Sequence, residues 1–261
     1  MQWWSLVKVT LLESSVGAGK NQQILASYIV NEVISIDGGC VGFATPLDVQ
    51  KKIEHVFLSH SHMDHIASVP IFIDNVYVHG PTCPSVYANA PTIETLKSDI
   101  FNDRIWPDMI RLSGEESPFL KLIELKTEQP VDVMGIRVTP IDIDHVLPTM
   151  GFIVEDDSAA IAIVSDTSPT QRIWDVINQQ RNLKAVFLEC SFPDSMEWLA
   201  VKAKHLCPKL FREELRKLKQ DVPIIAIHIK PAFEPQIVPE LLALQLPNLQ
   251  LGQPGKTYKF S

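Results

Sequence analysis

The run His60-Ser61-His62-Met63-Asp64-His65 constrains this chain more than any other stretch. It follows Glu54 to Ser59, an apolar run around Val56-Phe57-Leu58 that reads as a buried strand. Three imidazoles and a carboxylate within six residues are a poor fit to core packing. His and Asp are costly to bury unless they are paired or bind a metal. A strand that delivers them into one tight turn points to a metal site.

Other apolar strands end in the same kinds of residue. Asp142-Ile143-Asp144-His145 lies between the strand-like segments Gly135 to Ile141 and Gly151 to Glu155. Ala159 to Val164 leads into Ser165-Asp166-Thr167, and Pro223 to Ile227 leads into His228. Each alone reads as a turn or helix cap. Strand ends gather at one edge of a sheet, so five His and two Asp in this shared context can converge. Ile34-Ser35-Ile36 ends in Asp37-Gly38-Gly39, where Asp37 serves either as a turn residue or as an acid that orients a ligating imidazole.

The remaining pattern predicts strands at Leu6 to Leu12, Ser27 to Ile36, Asn75 to His79, Phe119 to Leu125 and Ala185 to Leu188, with Glu189 at the end of the last. Helices are predicted from Ile66 up to a stop at Pro70, and over Pro91 to Ile100, Gln171 to Gln180, Met196 to Lys204, Cys207 to Lys219 and Gln236 to Leu244. His79, alone before Gly80-Pro81, is expected to be exposed. Gly19-Lys20 does not make a phosphate loop, because Ser14 and Asn21 stand where Gly and Ser or Thr are required. This order, late alternation of strand and helix included, predicts sheets with helices packed outside them. One domain over 1–261 is expected at this length.

A net charge of -8 argues against a nucleic-acid partner. Cys40, Cys83, Cys190 and Cys207 are scattered without CxxC spacing, which predicts reduced thiols and a cytoplasmic protein. No signal peptide or membrane span is read in the sequence.

HxHxDH followed by a distant His, Asp and His resembles the metallo-β-lactamase superfamily. Thr95 to Pro107, Glu189-Cys190-Ser191-Phe192-Pro193, His205-Leu206-Cys207-Pro208-Lys209-Leu210 and His228-Ile229-Lys230-Pro231 look like segments of class II 3',5'-cyclic nucleotide phosphodiesterases. The resemblance implies an α+β fold, a four-layer αβ/βα sandwich, with two divalent metal ions at one edge. It implies that His60, His62 and His145 hold one ion, that Asp64, His65 and His228 hold the other, and that Asp166 bridges. Asp37 falls where the superfamily has an orienting acid. Ala67-Ser68, in place of a Gly step, and Cys207, in place of Thr, depart from the pattern and leave the substrate open.

His and carboxylate donors without thiolate suit zinc and accept manganese or iron. Such a pair lowers the pKa of water and clamps a phosphoryl oxygen. The activity implied is hydrolysis of cAMP or cGMP to a 5'-monophosphate, with Asp64 and His205 as catalytic residues. On spacing alone His205 reads as an exposed His between helices; the resemblance makes it the proton donor to the leaving oxygen. Lys230 is a candidate phosphate contact, or a solvated Lys beside Pro231. Asn102 and Trp106 are candidate nucleotide contacts, with a buried core role as the alternative for Trp106. The competing activities on this fold are an arylsulfatase, a lactonase and an RNase Z-like nuclease; a non-catalytic metal-bound sensor is the competing class. A homodimer is compatible with the resemblance.

Overall fold

The computed structural model describes residues 6–14 and 22–261. The Gly17–Gly19 loop and the Lys20-Asn21 pair lie outside these. The strands in chain order are β1 (Val7–Leu11), β2 (Tyr28–Val30), β3 (Ile34–Ile36), β4 (His55–Phe57), β5 (Ser85–Ala88), β6 (Lys121–Glu124) and β7 (Val131–Val133). They continue with β8 (Ile136–Ile143), β9 (Thr149–Glu155), β10 (Ala160–Val164), β11 (Leu183–Glu189), β12 (Ile224–Ile227), β13 (Leu249–Leu251) and β14 (Thr257–Phe260).

The described strands form two sheets of seven, ordered β14-β1-β2-β3-β4-β5-β6 and β13-β12-β11-β10-β9-β8-β7. The first half of the chain thus builds one sheet, the second half builds the other, and β14 returns to the first. Pairing is parallel from β3 to β6 and from β10 to β13, and antiparallel elsewhere.

Side chains alternate across a strand, so each sheet has two faces to cover. In β4 and its continuation, Phe57 points into the core between the sheets, while Val56 and Leu58 point outward beneath a helix layer. In β10, Ile161 and Ile163 join the inter-sheet core, and Ala162 and Val164 face the opposite helices. A strand buried on both faces reads as an unbroken apolar run, as Ala159 to Val164 does. Phe72, Leu96 and Phe101 cover the outside of the first sheet. Trp174, Phe211 and Leu241 cover the second. The layers are helix, sheet, sheet, helix, the α+β sandwich that the family resemblance implies.

Three local expectations need correction. Pro70 does not stop a helix: it sits in the first turn of the Val69–Val76 helix, where a missing N–H leaves no bond unmade. Asn75 to His79 is therefore helix end and loop, and the next strand is β5. Ser27 to Ile36 is two strands, because Asn31 and Glu32 adopt positive φ and reverse the chain. Pro91 to Ile100 is helical as expected, with the Asn89 side chain accepting from the Thr92 N–H at its start.

Candidate metal centre

The short β4 strand ends at Phe57, and Leu58 and Ser59 carry the chain to the cluster. His60 and His62 lie in the extended turn, and Asp64 and His65 on the Met63–Ile66 helix that follows. That helix packs against the turn after β3. The Gly38 N–H donates to the His65 carbonyl at 2.7 Å, and the Ala26 N–H donates to the Asp64 carbonyl at 2.7 Å. Gly39 is required for this approach: a Cβ there would lie 2.0 Å from the Asp64 carbonyl oxygen and 2.8 Å from the Ala26 backbone.

The other strand ends arrive at the same edge. β8 runs two residues beyond its expected end and delivers His145 just past Ile143. Asp166 follows β10, and His228, at a φ of 55°, follows β12 directly. His65 Nε2 lies 3.3 Å from Asp166 Oδ2 and 3.2 Å from His228 Nε2. His228 Nε2 is 3.3 Å from Asp64 Oδ2. On the other side, His62 Nδ1 is 3.0 Å from His60 Nε2 and 3.3 Å from His145 Nε2.

The imidazoles are anchored from behind. His60 Nδ1 lies 2.9 Å from Ser59 Oγ, His65 Nδ1 is 2.7 Å from Asp37 Oδ2, His145 Nδ1 is 2.8 Å from the Lys204 carbonyl and His228 Nδ1 is 3.0 Å from Ser191 Oγ. With Nδ1–H donating outward, each ring turns its Nε2 lone pair to the centre. Asp37 is thus both a turn residue, with a φ of 61°, and a positioning acid. Its carboxylate also accepts from the Ser59 N–H at 2.8 Å and the Ser59 hydroxyl at 3.0 Å.

These residues fit divalent cations. Within each of two sets, one of His60, His62, His145 and Asp166 and the other of Asp64, His65, Asp166 and His228, the donor atoms lie within 4.8 Å of one another, as do those of Asp166, Glu189 and His205 beside them. Asp166 belongs to both sets, is almost wholly buried, and its Oδ1 has no hydrogen-bond partner. Inward lone pairs and a buried carboxylate oxygen cannot satisfy one another, whereas a cation satisfies both. The electrostatics agree. Burial pushes His60, His62 and His145 below the usual imidazole pKa, favouring the neutral form that ligates. Burial opposes the ionisation of Asp64 and Asp166, but His228 and His65 hold both carboxyls well below the usual range. His65 is the exception: burial opposes its charge, but Asp166 and Asp37 outweigh burial and raise its pKa, so a cation held there would displace its proton.

His205 is buried rather than exposed between its helices. Its Nδ1 is 2.8 Å from Glu189 Oε1, and its Nε2 is 4.0 Å from Asp166 Oδ2. Burial lowers the pKa of His205, but the adjacent Glu189 carboxylate more than offsets it, and the net shift is upward. Glu189 is fully buried and also accepts from the Thr167 N–H, the Leu206 N–H and the Ser191 hydroxyl. Glu189, Ser59 and Ser191 were not among the site residues expected from sequence. Glu189 did carry a signal, since it ends an apolar strand as Asp37 does.

Asn102 and Trp106 are engaged elsewhere. The Asn102 amide donates to the Ser98 carbonyl, and its oxygen accepts from the Arg104 and Ile105 N–H groups, closing its own turn. Trp106 packs with the apolar residues outside the first sheet. Asn102 is thus held in its own turn, and Trp106 is partly buried against the outer helix layer. Lys230 does lie at the site, lining a cavity of about 240 Å³ with Asp64 and His228, and its Nζ sits 5.3 Å from the centroid of the Phe192 ring.

The profile of the beta-lactamase superfamily domain matches residues 41–229. The chain belongs to the metallo-β-lactamase superfamily. Within it, the chain is 25% identical over 210 residues to a Yersinia pestis protein named probable 3',5'-cyclic-nucleotide phosphodiesterase. It is 26% identical over 197 residues to 3',5'-cyclic-nucleotide phosphodiesterase 1 of Saccharomyces cerevisiae. These alignments cover 71% and 66% of this chain but 59% and 52% of the relatives, so the chain spans little more than half their length. In fold it is similar to unliganded yeast PDE1, with a TM-score of 0.79 at 18% identity over 99% of this chain and 100% of that one. It is also similar to the short form of human tRNase Z, with a TM-score of 0.68 at 13% identity over 97% and 99% of the two chains. The cluster is accordingly a set of donors able to hold divalent cations, on a metallo-β-lactamase fold. Among the described residues no helix is long and apolar enough to cross a membrane.

Proposed function

We propose that this chain is a metal-dependent phosphodiesterase that hydrolyses 3',5'-cyclic nucleotides to 5'-monophosphates. The observation that carries this is the pair of donor sets that share Asp166, with the Glu189–His205 pair beside them. The names of the two curated relatives support the choice of substrate class.

In this proposal His60, His62 and His145 would hold one cation, Asp64, His65 and His228 would hold the second, and Asp166, common to both sets, would serve each. Zinc suits these donors, and manganese or iron would be accepted. When bound, such a pair makes water nucleophilic near neutral pH and neutralises charge on the phosphoryl group. The chain's own residues supply position and protons. Ser59, Asp37, Lys204 and Ser191 hold His60, His65, His145 and His228 by Nδ1, so these four rings need not reorient during turnover. As the bond between phosphorus and the 3' oxygen breaks, that oxygen takes a proton. His205 is the donor, with Glu189 fixing its ring and keeping it protonated, and with Nε2 turned to Asp166. The Lys230 ammonium, beside the Phe192 ring, faces the charged phosphate.

The test is a substrate panel on protein loaded with zinc or manganese: cAMP, cGMP, bis-p-nitrophenyl phosphate and p-nitrophenyl sulfate. Turnover of the cyclic nucleotides is expected. Turnover of the sulfate alone would replace this function by that of a sulfatase. Inert protein with full metal content would make it a binding protein.

A further inference from the structure

A nucleotide whose phosphate sits at the cluster must also place its base. A second cavity, of about 380 Å³, opens beside the cavity that holds Asp64 and Lys230, and the two share Gln23, His228, Ile229 and Pro231. A cavity of this size lies within the range of small-molecule sites, roughly 300–1,000 Å³. Its wall is apolar, formed by Leu11, Val238 and Leu251. Glu234 and Gln253 add polar groups. The Gln23 amide donates to the Leu12 and Ser27 carbonyls at 3.3 Å each, so its oxygen is the group it can offer a ligand.

Building on the cyclic-nucleotide function, we propose that this cavity is the nucleobase subsite. In a 3',5'-cyclic nucleotide the phosphate is fused to the ribose, so the base must lie close to the metal cluster. Inward, the wholly buried Asp37, Ser59 and Glu189 close the way. The shared residues His228, Ile229 and Pro231 instead lead from the cluster into the second cavity. Apolar walls suit the faces of a flat ring, and the oxygens of Gln23 and Glu234 suit a hydrogen-bond donor on its edge. Adenine, guanine and cytosine offer an exocyclic amino donor there, and uracil its ring N3–H.

Calorimetric titration of the zinc-loaded full chain with 5'-AMP, 5'-UMP and ribose 5-phosphate tests this. 5'-AMP and 5'-UMP are each expected to bind at least about tenfold more tightly than ribose 5-phosphate, since the base buries apolar surface. Val238→Trp fills the cavity and should erase the difference between 5'-AMP and ribose 5-phosphate. Glu234→Gln, a milder change, should weaken 5'-AMP by about two- to tenfold, the range of one hydrogen bond, and leave ribose 5-phosphate unchanged. Equal or absent binding of 5'-AMP and ribose 5-phosphate, or an unchanged 5'-AMP affinity in Glu234→Gln, would overturn the subsite. Base-dependent binding without hydrolysis of cAMP would leave the subsite standing and remove the catalytic function; hydrolysis with base-independent binding would do the reverse.

Discussion

Replacing Asp37 by Asn tests how this chain prepares its imidazoles. The Asp37 carboxylate accepts from the Ser59 N–H at 2.8 Å, the Ser59 hydroxyl at 3.0 Å and His65 Nδ1 at 2.7 Å. Asn tolerates the φ of 61° at this position. Its one oxygen can keep the Ser59 N–H, which places the NH2 against His65 Nδ1. His65 must then accept at Nδ1 and carry its proton on Nε2, which faces Asp166 and His228 at 3.3 and 3.2 Å. A protonated Nε2 cannot ligate. One charge-assisted hydrogen bond becomes a neutral one, a loss of about 1–2 kcal/mol. That lowers Tm by about 2–8 °C for a chain of this size. The loss in metal affinity should be larger in effect, about 10- to 100-fold at the site that includes His65. Competition against a chromogenic chelator, with elemental analysis for stoichiometry and circular dichroism for folding, reads both quantities. A folded Asp37→Asn protein that binds the same number of cations with unchanged affinity would refute the tautomer argument.

Gly39→Ala should cost about 1–3 kcal/mol and weaken metal binding, because the backbone atoms at 2.0 and 2.8 Å must move the His60–His65 segment; thermal melts of the apo and loaded protein check this. Trp106→Phe should leave KM for cyclic nucleotide unchanged and cost no more than about 1–2 kcal/mol, since its buried Nε1 has no partner to lose; a raised KM would return Trp106 to the site. Thiol labelling of the native protein at pH 8 should modify Cys83 first. Cys40, Cys190 and Cys207 are buried, and burial pushes Cys40 and Cys207 up to about 11; labelling of either at the rate of Cys83 would contradict the packing. Asp166→Ala should lose cations from both donor sets together, read as metal stoichiometry, whereas retention of one full-affinity ion would show that the sets are independent.

Much of this molecule was legible from the chain alone. Residue type and spacing mark His60, His62, Asp64 and His65 as metal donors, because few other roles accept buried imidazoles in such density. Strand-end position singles out His145, Asp166 and His228, since side chains at the ends of neighbouring strands share an edge. Apolar runs such as Ala159 to Val164 announce a strand covered on both faces. What failed was local and physical. Pro70 starts a helix as readily as it ends one, and the bend at Asn31 and Glu32 needs only positive φ.

The tertiary structure alone decided which groups stand behind the donors. Nothing in the spacing pairs Asp37 with His65, Glu189 with His205, Ser191 with His228 or the Lys204 carbonyl with His145, because those contacts join segments that only the sandwich brings together. It also decided that Trp106 packs against the outer helix layer and that a cavity opens beside His228, since burial and open volume depend on how the layers pack. The sequence determined the chemistry of the centre, for that resides in the side chains. The fold determined which nitrogen of His65, His145 and His228 faces inward, for that depends on partners distant along the chain.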